Sequence, residues 1–82
     1  MRVVCGFDHA GVPLRGAVID TLTHLGHEVD DLGTTNTDPV DYPDVAVAVA
    51  AKLLSGSAER GVLVCGSGAG VSIAANKLDG IR

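Results

Sequence analysis

Residues 61–70 read GVLVCGSGAG, and the parsing of this stretch decides the fold. Its first half is apolar without polar alternation, as in a strand covered on both faces. In its second half Gly66, Gly68 and Gly70 alternate with Ser67 and Ala69, which ends the strand and lets the backbone turn tightly. A strand over 61–66 running into a helix over 70–78 is one strand–helix unit of a parallel sheet. The rest of the chain reads as two more such units.

Upstream, RVVCGF (2–7) is a short, β-branched, buried strand. GVPLRGAVIDTLTHLGH follows as a helix. Pro13 suits its first turn, Leu14, Val18, Leu22 and Leu25 fall on one face, and Gly26 stops it. HEVDDLG (27–33) is a second, weaker strand, and TTNTDPVD is loop. In YPDVAVAVAAKLL (42–54) Val and Ala alternate, so the period is ambiguous. Pro43, the alanines and the length favour a helix, which Ser55 and Gly56 close. Three strands alternating with three helices mean an α/β fold with a parallel sheet and right-handed crossovers. We expect a three-layer, Rossmann-like domain with the flavodoxin-like strand order 2-1-3, spanning 1–82 and truncated after its third βα unit. GIR at 80–82 reads as the approach to a fourth strand. With strand three then at the sheet edge, either the chain is part of a longer protein or it associates with copies of itself.

The 82 residues hold one domain at most. A domain of this size buries only about 60–65% of the surface exposed by its unfolded chain. Hydrophobic residues make up 46% and charged residues 20%, a globular balance. One Phe, one Tyr and no Trp leave the core to Val, Leu, Ile and Ala. Six basic against ten acidic residues, net −4, argue against nucleic acid as a partner. No apolar run approaches the roughly 20 residues that span a bilayer, and the N-terminus turns polar too soon for a signal peptide. Cys5 and Cys65 match no metal spacing and no CxxC pair. No metal or cofactor is expected, and a reducing, cytoplasmic setting is.

In open parallel sheets ligands bind beyond the carboxyl ends of the strands, where the strand order reverses. For the order 2-1-3 that point lies between strands one and three. The loops there, FDHAG (7–11) and CGSGAG (65–70), are also the most chemically loaded in the chain. In the second, a helix start offers free N–H groups and the positive end of its dipole to an anion. The same field favours thiolate at Cys65, a potential base or nucleophile, and Ser67 can donate to a developing oxyanion. Spacing alone equally allows Cys65 as a small buried hydrophobe beside a plain turn. The dinucleotide fingerprint fails because position 71 is Val, and the phosphate-loop pattern fails for want of Gly-Lys-Ser/Thr. In the first loop, Asp8 and His9 either meet a ligand or serve as a helix cap and an exposed loop residue. His24 and His27 read as a solvated helix end, and Cys5 as core. Glu28, Asp30, Asp31, Asp38, Asp41 and Asp44 read as a solvated acidic surface, and Tyr42 as a staple for the helix that Pro43 starts.

DHAG at 8–11, DYPD at 41–44 and CGSGAGVSIAANKLDGIR at 65–82 resemble the type B ribose-5-phosphate isomerases, a family that includes galactose-6-phosphate isomerase subunits. The resemblance runs in order along the whole chain. It implies a metal-independent aldose–ketose isomerisation of a sugar phosphate through an enediolate, by a dimer whose sites draw on both subunits. It assigns Cys65 as the base that moves a proton between C1 and C2. It assigns the backbone of Gly66, Ser67, Gly68, Ala69 and Gly70 as the anion hole, and Asp8 and His9 as contacts to the sugar phosphate. Family members carry a further C-terminal half with a His-Asn segment for ring opening and arginines for the phosphate. The 82 residues hold neither, so this form is expected to be weak or inactive alone. The competing reading is a non-catalytic phosphate-binding or oligomerising α/β module. A thiol-redox protein is disfavoured, since no second Cys lies near Cys65.

Overall fold

The computed structural model describes residues 1–32 and 42–81, without the side chains of residues 42 and 43. The readings of the 34–41 loop, of Asp38 and Asp41, and of the Tyr42 staple therefore lie outside the described residues.

The central strand is β1, Arg2–Phe7. Its side chains alternate between two apolar layers, so both faces are buried. Val3, Cys5 and Phe7 point to one side, among Val12, Val18, Ile19, Leu22, Val29, Val62 and Val64. Val4 points to the other side, among Val49, Ala58, Leu32, Leu53 and Leu63. Gly6 faces this second layer because nothing larger fits. A Cβ there would lie 2.7 Å from both Val45 Cγ1 and Val49 Cγ2. β2 (Glu28–Asp31) and β3 (Arg60–Val64) flank β1, both parallel to it. The strand order is β2-β1-β3. One helix lies on one face, α1 (Val12–His24), and two on the other, α2 (Tyr42–Leu54) and α3 (Ala69–Asn76). The expected three-layer parallel architecture is present, with β3 at an edge of the described sheet.

Three expectations need correction. The stripe Leu14, Val18, Leu22, Leu25 is only half inward: Val18 and Leu22 pack on the core, whereas Leu14 is 56% and Leu25 65% exposed. The helix is rotated so that Val12, Val18, Ile19 and Leu22 meet β1. Leu14, Ala17, Val18, Thr21 and Leu22 instead line a shallow apolar groove of about 310 Å³ beside Val62 of β3. α1 leans toward β2 and leaves the β3 flank of this face thinly covered. β3 ends at Val64 rather than 66, because the last register pair is Phe7 with Val64 and both chains turn away beyond it. Cys65 is thus the first residue of the loop. Finally, the acidic group is not simply solvated. Glu28 pairs with Arg2, Asp30 with Lys52, and the part-buried Asp31 with Arg15. His27 likewise has a partner, its Nδ1 lying 3.2 Å from the N-terminal nitrogen of Met1.

α2 matches its expected bounds, and Gly26, at φ +89°, takes the left-handed stop position after α1. Among the described residues no helix is long and apolar enough to cross a membrane.

Candidate functional site

The two loaded loops meet at the carboxyl edge of the sheet because β1 and β3 are neighbours that end at the same level. The first loop is clasped onto the end of β3 through Asp8. Its backbone N–H donates to the Val64 carbonyl at 3.2 Å. Its own carbonyl accepts from Gly11 N–H at 3.0 Å and from Val12 N–H at 3.1 Å. Its carboxylate Oδ1 accepts from the same Gly11 N–H at 2.8 Å. Asp8 is buried, at 6% exposure. A carboxylate withdrawn from water is tolerated only when hydrogen-bonded, and this one is. The reading of Asp8 as the cap of the following helix is corrected: α1 has Gly11 at its N-cap and no side chain capping it, and the Asp8 carboxylate instead accepts from the N–H of Gly11 itself, one residue before the helix.

Gly11 is a site residue that the sequence did not single out. Its φ of −86° suits any residue, so the reason for glycine is steric. A Cβ there would overlap the Val64 carbonyl oxygen and lie 2.8 Å from the carbonyl carbon. A second close approach joins the loops, Ala10 Cβ lying 3.4 Å from where a Gly66 Cβ would stand. The glycine that closes DHAG was the available signal. Reading it required knowing that β3 lies beside β1.

Across this junction sits Cys65, partly buried. Its Sγ accepts a hydrogen bond from the Gly68 N–H at 3.1 Å. Burial alone would raise the thiol above its ordinary value. Backbone N–H groups of Val71, Ser67 and Gly68 outweigh burial, and the negative charge of Asp8 opposes them. The net result is a pKa below that of an ordinary thiol. Gly68 is left-handed, φ +78°, with open space where a Cβ would go, so here glycine serves conformation. That twist turns its N–H toward sulfur and starts α3, whose first turn holds no acidic residue. Ser67 is exposed, and its Oγ accepts from Ala69 N–H at 3.3 Å. His9 is exposed on the first loop. The structure thus brings Asp8, His9, Cys65, Gly66, Ser67, Gly68, Ala69 and Gly70 to one edge.

The described arginines do not join them. Arg2 and Arg60 lie at the amino edge of the sheet, and Arg15 pairs with Asp31. Nor does a cavity of about 610 Å³ between α2, α3 and β3 reach Cys65. Its lining, which includes Val49, Leu53, Leu63 and Ala75, is chiefly apolar and offers no acid or base near the thiol. We place the site by its chemistry. Among the described residues no three His, Cys, Asp or Glu side chains stand together as metal ligands do.

Residues 3–82 match the model of the Ribose/Galactose Isomerase family. The chain belongs to that family. Within the ribose/galactose isomerases, ribose-5-phosphate isomerase B of Escherichia coli is 42% identical over 81 residues, covering 99% of this chain and 54% of that protein. D-erythrulose-4-phosphate isomerase 2 of Mycolicibacterium smegmatis is also 42% identical, covering all of this chain and 56% of its own length. The solved structure of Clostridium thermocellum ribose-5-phosphate isomerase B superposes with a TM-score of 0.96 at 46% identity, over all of this chain and 55% of that one. The chain spans about half the length of the relatives it matches.

Proposed function

We propose that this chain carries the proton-transfer part of an aldose–ketose isomerase acting on a sugar phosphate, ribose 5-phosphate to ribulose 5-phosphate. The observation that carries the reading is the Cys65 thiol held under the Gly68 N–H at the start of α3, with its pKa lowered. As thiolate, Cys65 takes the proton from C2 of the open-chain aldose. The electron pair of that bond moves into C1–C2, and charge develops on the C1 oxygen of the enediolate. N–H groups of the 66–70 loop and the Ser67 hydroxyl meet that charge, which is greater in the transition state than in the substrate. The proton then returns to C1, and the hydroxyl proton of O2 passes to O1. No net redox partner is needed.

His9 is the proposed contact to the sugar phosphate, and its exposure on the first loop supports that reading. The free thiols of Cys5 and Cys65 fit a cytoplasmic enzyme. The open edge of β3 fits a dimer. With no described arginine near the loops, the 82-residue chain alone is expected to isomerise weakly or not at all. A coupled assay of ribose 5-phosphate turnover tests this. Near-normal turnover by the 82-residue chain would overturn the expectation of weakness. Undiminished proton exchange at C2 in Cys65→Ala, made in this chain extended to the length of its relatives, would overturn the role of the base. The second outcome would favour a phosphate-binding module instead.

A further inference from the structure

We propose that the Asp79–Gly80 turn after α3 is a modification site, where the aspartate rearranges through a succinimide to isoaspartate and so becomes a substrate for an isoaspartyl methyltransferase. The sequence singles out the place. Of all the aspartates and asparagines in the chain, Asp79 alone is followed by glycine. The reaction needs attack by the main-chain nitrogen of the next residue, and glycine has no side chain to shield it. Both residues are exposed, so water and base reach them. The turn is closed by the Ile81 N–H, which donates to the Leu78 carbonyl at 3.2 Å. Among the described residues nothing accepts from the Gly80 N–H, and no cation pairs with the Asp79 carboxylate. Other aspartates are held. Asp8 is tied to the Gly11 N–H, Asp30 to Lys52 and Asp31 to Arg15. Asp20 and Asp44 lie within α1 and α2, whose hydrogen bonds fix the backbone. Gly80 cannot readily be exchanged for a safer residue. Its φ is +90°, and a Cβ there would stand 2.9 Å from Leu54 Cδ2. The fold therefore demands the glycine that makes Asp79 reactive.

The chemistry needs only water. The Gly80 nitrogen attacks Cγ of the carboxyl in its protonated form. The N–Cγ bond forms, the Cγ–OH bond breaks, and the amide proton leaves with that hydroxyl as water. Water then adds to the succinimide. Opening at Cγ restores aspartate. Opening at the main-chain carbonyl gives isoaspartate: the chain now runs through Cβ and Cγ, and the former main-chain carbonyl is a free carboxylate. The net charge is unchanged, but the main chain is one methylene longer between Leu78 and Ile81. The hydrogen bond that closes the turn is then lost, and Gly80 and Ile81 move from the wall of the cavity between α2, α3 and β3.

The turn lies at the end of α3 remote from Cys65, so the inference is independent of the isomerase reading. The experiment ages the folded 82-residue chain at neutral pH beside the free peptide Leu78–Arg82, which trypsin also releases from the chain by cutting after Lys77. Isoaspartate is read in that peptide as methyl transfer by an isoaspartyl methyltransferase, and as resistance to a protease that cuts before aspartate. Circular dichroism checks that the chain stays folded. Conversion in the chain is expected within about tenfold of the rate in the free peptide, because a turn so lightly held opens at little cost. Slower conversion, or methyl transfer confined to other peptides, overturns the proposal. Asp79→Glu keeps the charge and the turn, but the larger ring that Glu requires forms far more slowly. Its 78–82 peptide is expected to take up no methyl, and uptake equal to the parent's overturns the assignment to Asp79. In the converted chain the Ile81 amide should exchange faster with solvent, and unchanged exchange overturns the loss of the turn.

Discussion

Two cysteines in one small chain meet opposite environments. Cys5 lies in the middle of β1, fully buried, and burial with the charges of Asp31 and Asp30 pushes its thiol up. Cys65 has its pKa lowered by backbone donors. A thiol reacts as thiolate, so a lowered pKa extends reactivity to lower pH and a raised one withdraws it. In the native chain, iodoacetamide should therefore modify Cys65 between pH 7 and 8 and leave Cys5 unmodified until denaturant is added. Peptide mass mapping checks this, and equal labelling of both would contradict it. If the proposed function holds, Cys65→Ala in this chain extended to the length of its relatives should reduce isomerisation by roughly 10²–10⁴-fold, the range for a positioned base. Circular dichroism should stay unchanged. The tight turn at Gly68 was legible in the sequence from the alternating glycines, whereas spacing left Cys65 open between a reactive thiol and a small buried hydrophobe and only the family resemblance separated the two. The steric demand at Gly11 was not, because it is imposed by the carbonyl of a residue far away in the chain. The burial of Asp8 was hidden for the same reason.

At the scale of elements, the strand–helix alternation was readable, and the strand order followed from it. The α1 face was not. Four leucine and valine positions at helical spacing marked a stripe, but the helix settles by the shape of the sheet beneath it. With β3 at the edge, α1 sits over β1 and β2, and Ile19 enters the core while Leu14 and Leu25 face solvent. The end of β3 was set by register with Phe7, which no local pattern reports. Two substitutions probe these elements. Gly6→Ala would drive a methyl group into Val45 and Val49 and should destabilise the chain by about 1–3 kcal/mol, read as a lower urea midpoint. Gly68→Ala meets no atom, so its cost is conformational, about 1–2 kcal/mol for a left-handed backbone. Relaxing that twist would also pull the Gly68 N–H from Cys65, so the alkylation midpoint should rise. A stable Gly68→Ala chain with an unaltered midpoint would contradict the account of that hydrogen bond.

The molecule as a whole is a sheet covered unequally on its two faces. α2 and α3 pack together on one face, whereas among the described residues α1 alone covers the other. β3 keeps an unpaired edge among the described residues, with half-buried Val62, Leu63 and Val64 along it. Such an edge seeks a partner strand. At tens of micromolar the 82-residue chain should sediment as a dimer or larger species, and a stable monomer would count against this.

The groove between Leu14 and Val62 carries a practical consequence. Dyes such as ANS brighten on apolar surface, and their fluorescence is commonly taken as the mark of a molten state. Here the native fold offers them such a surface where α1 leaves the β3 flank thinly covered. Dye brightness alone would therefore misdiagnose a well-packed chain as a loosened one. The discriminating observation is whether that brightness coexists with cooperative thermal unfolding.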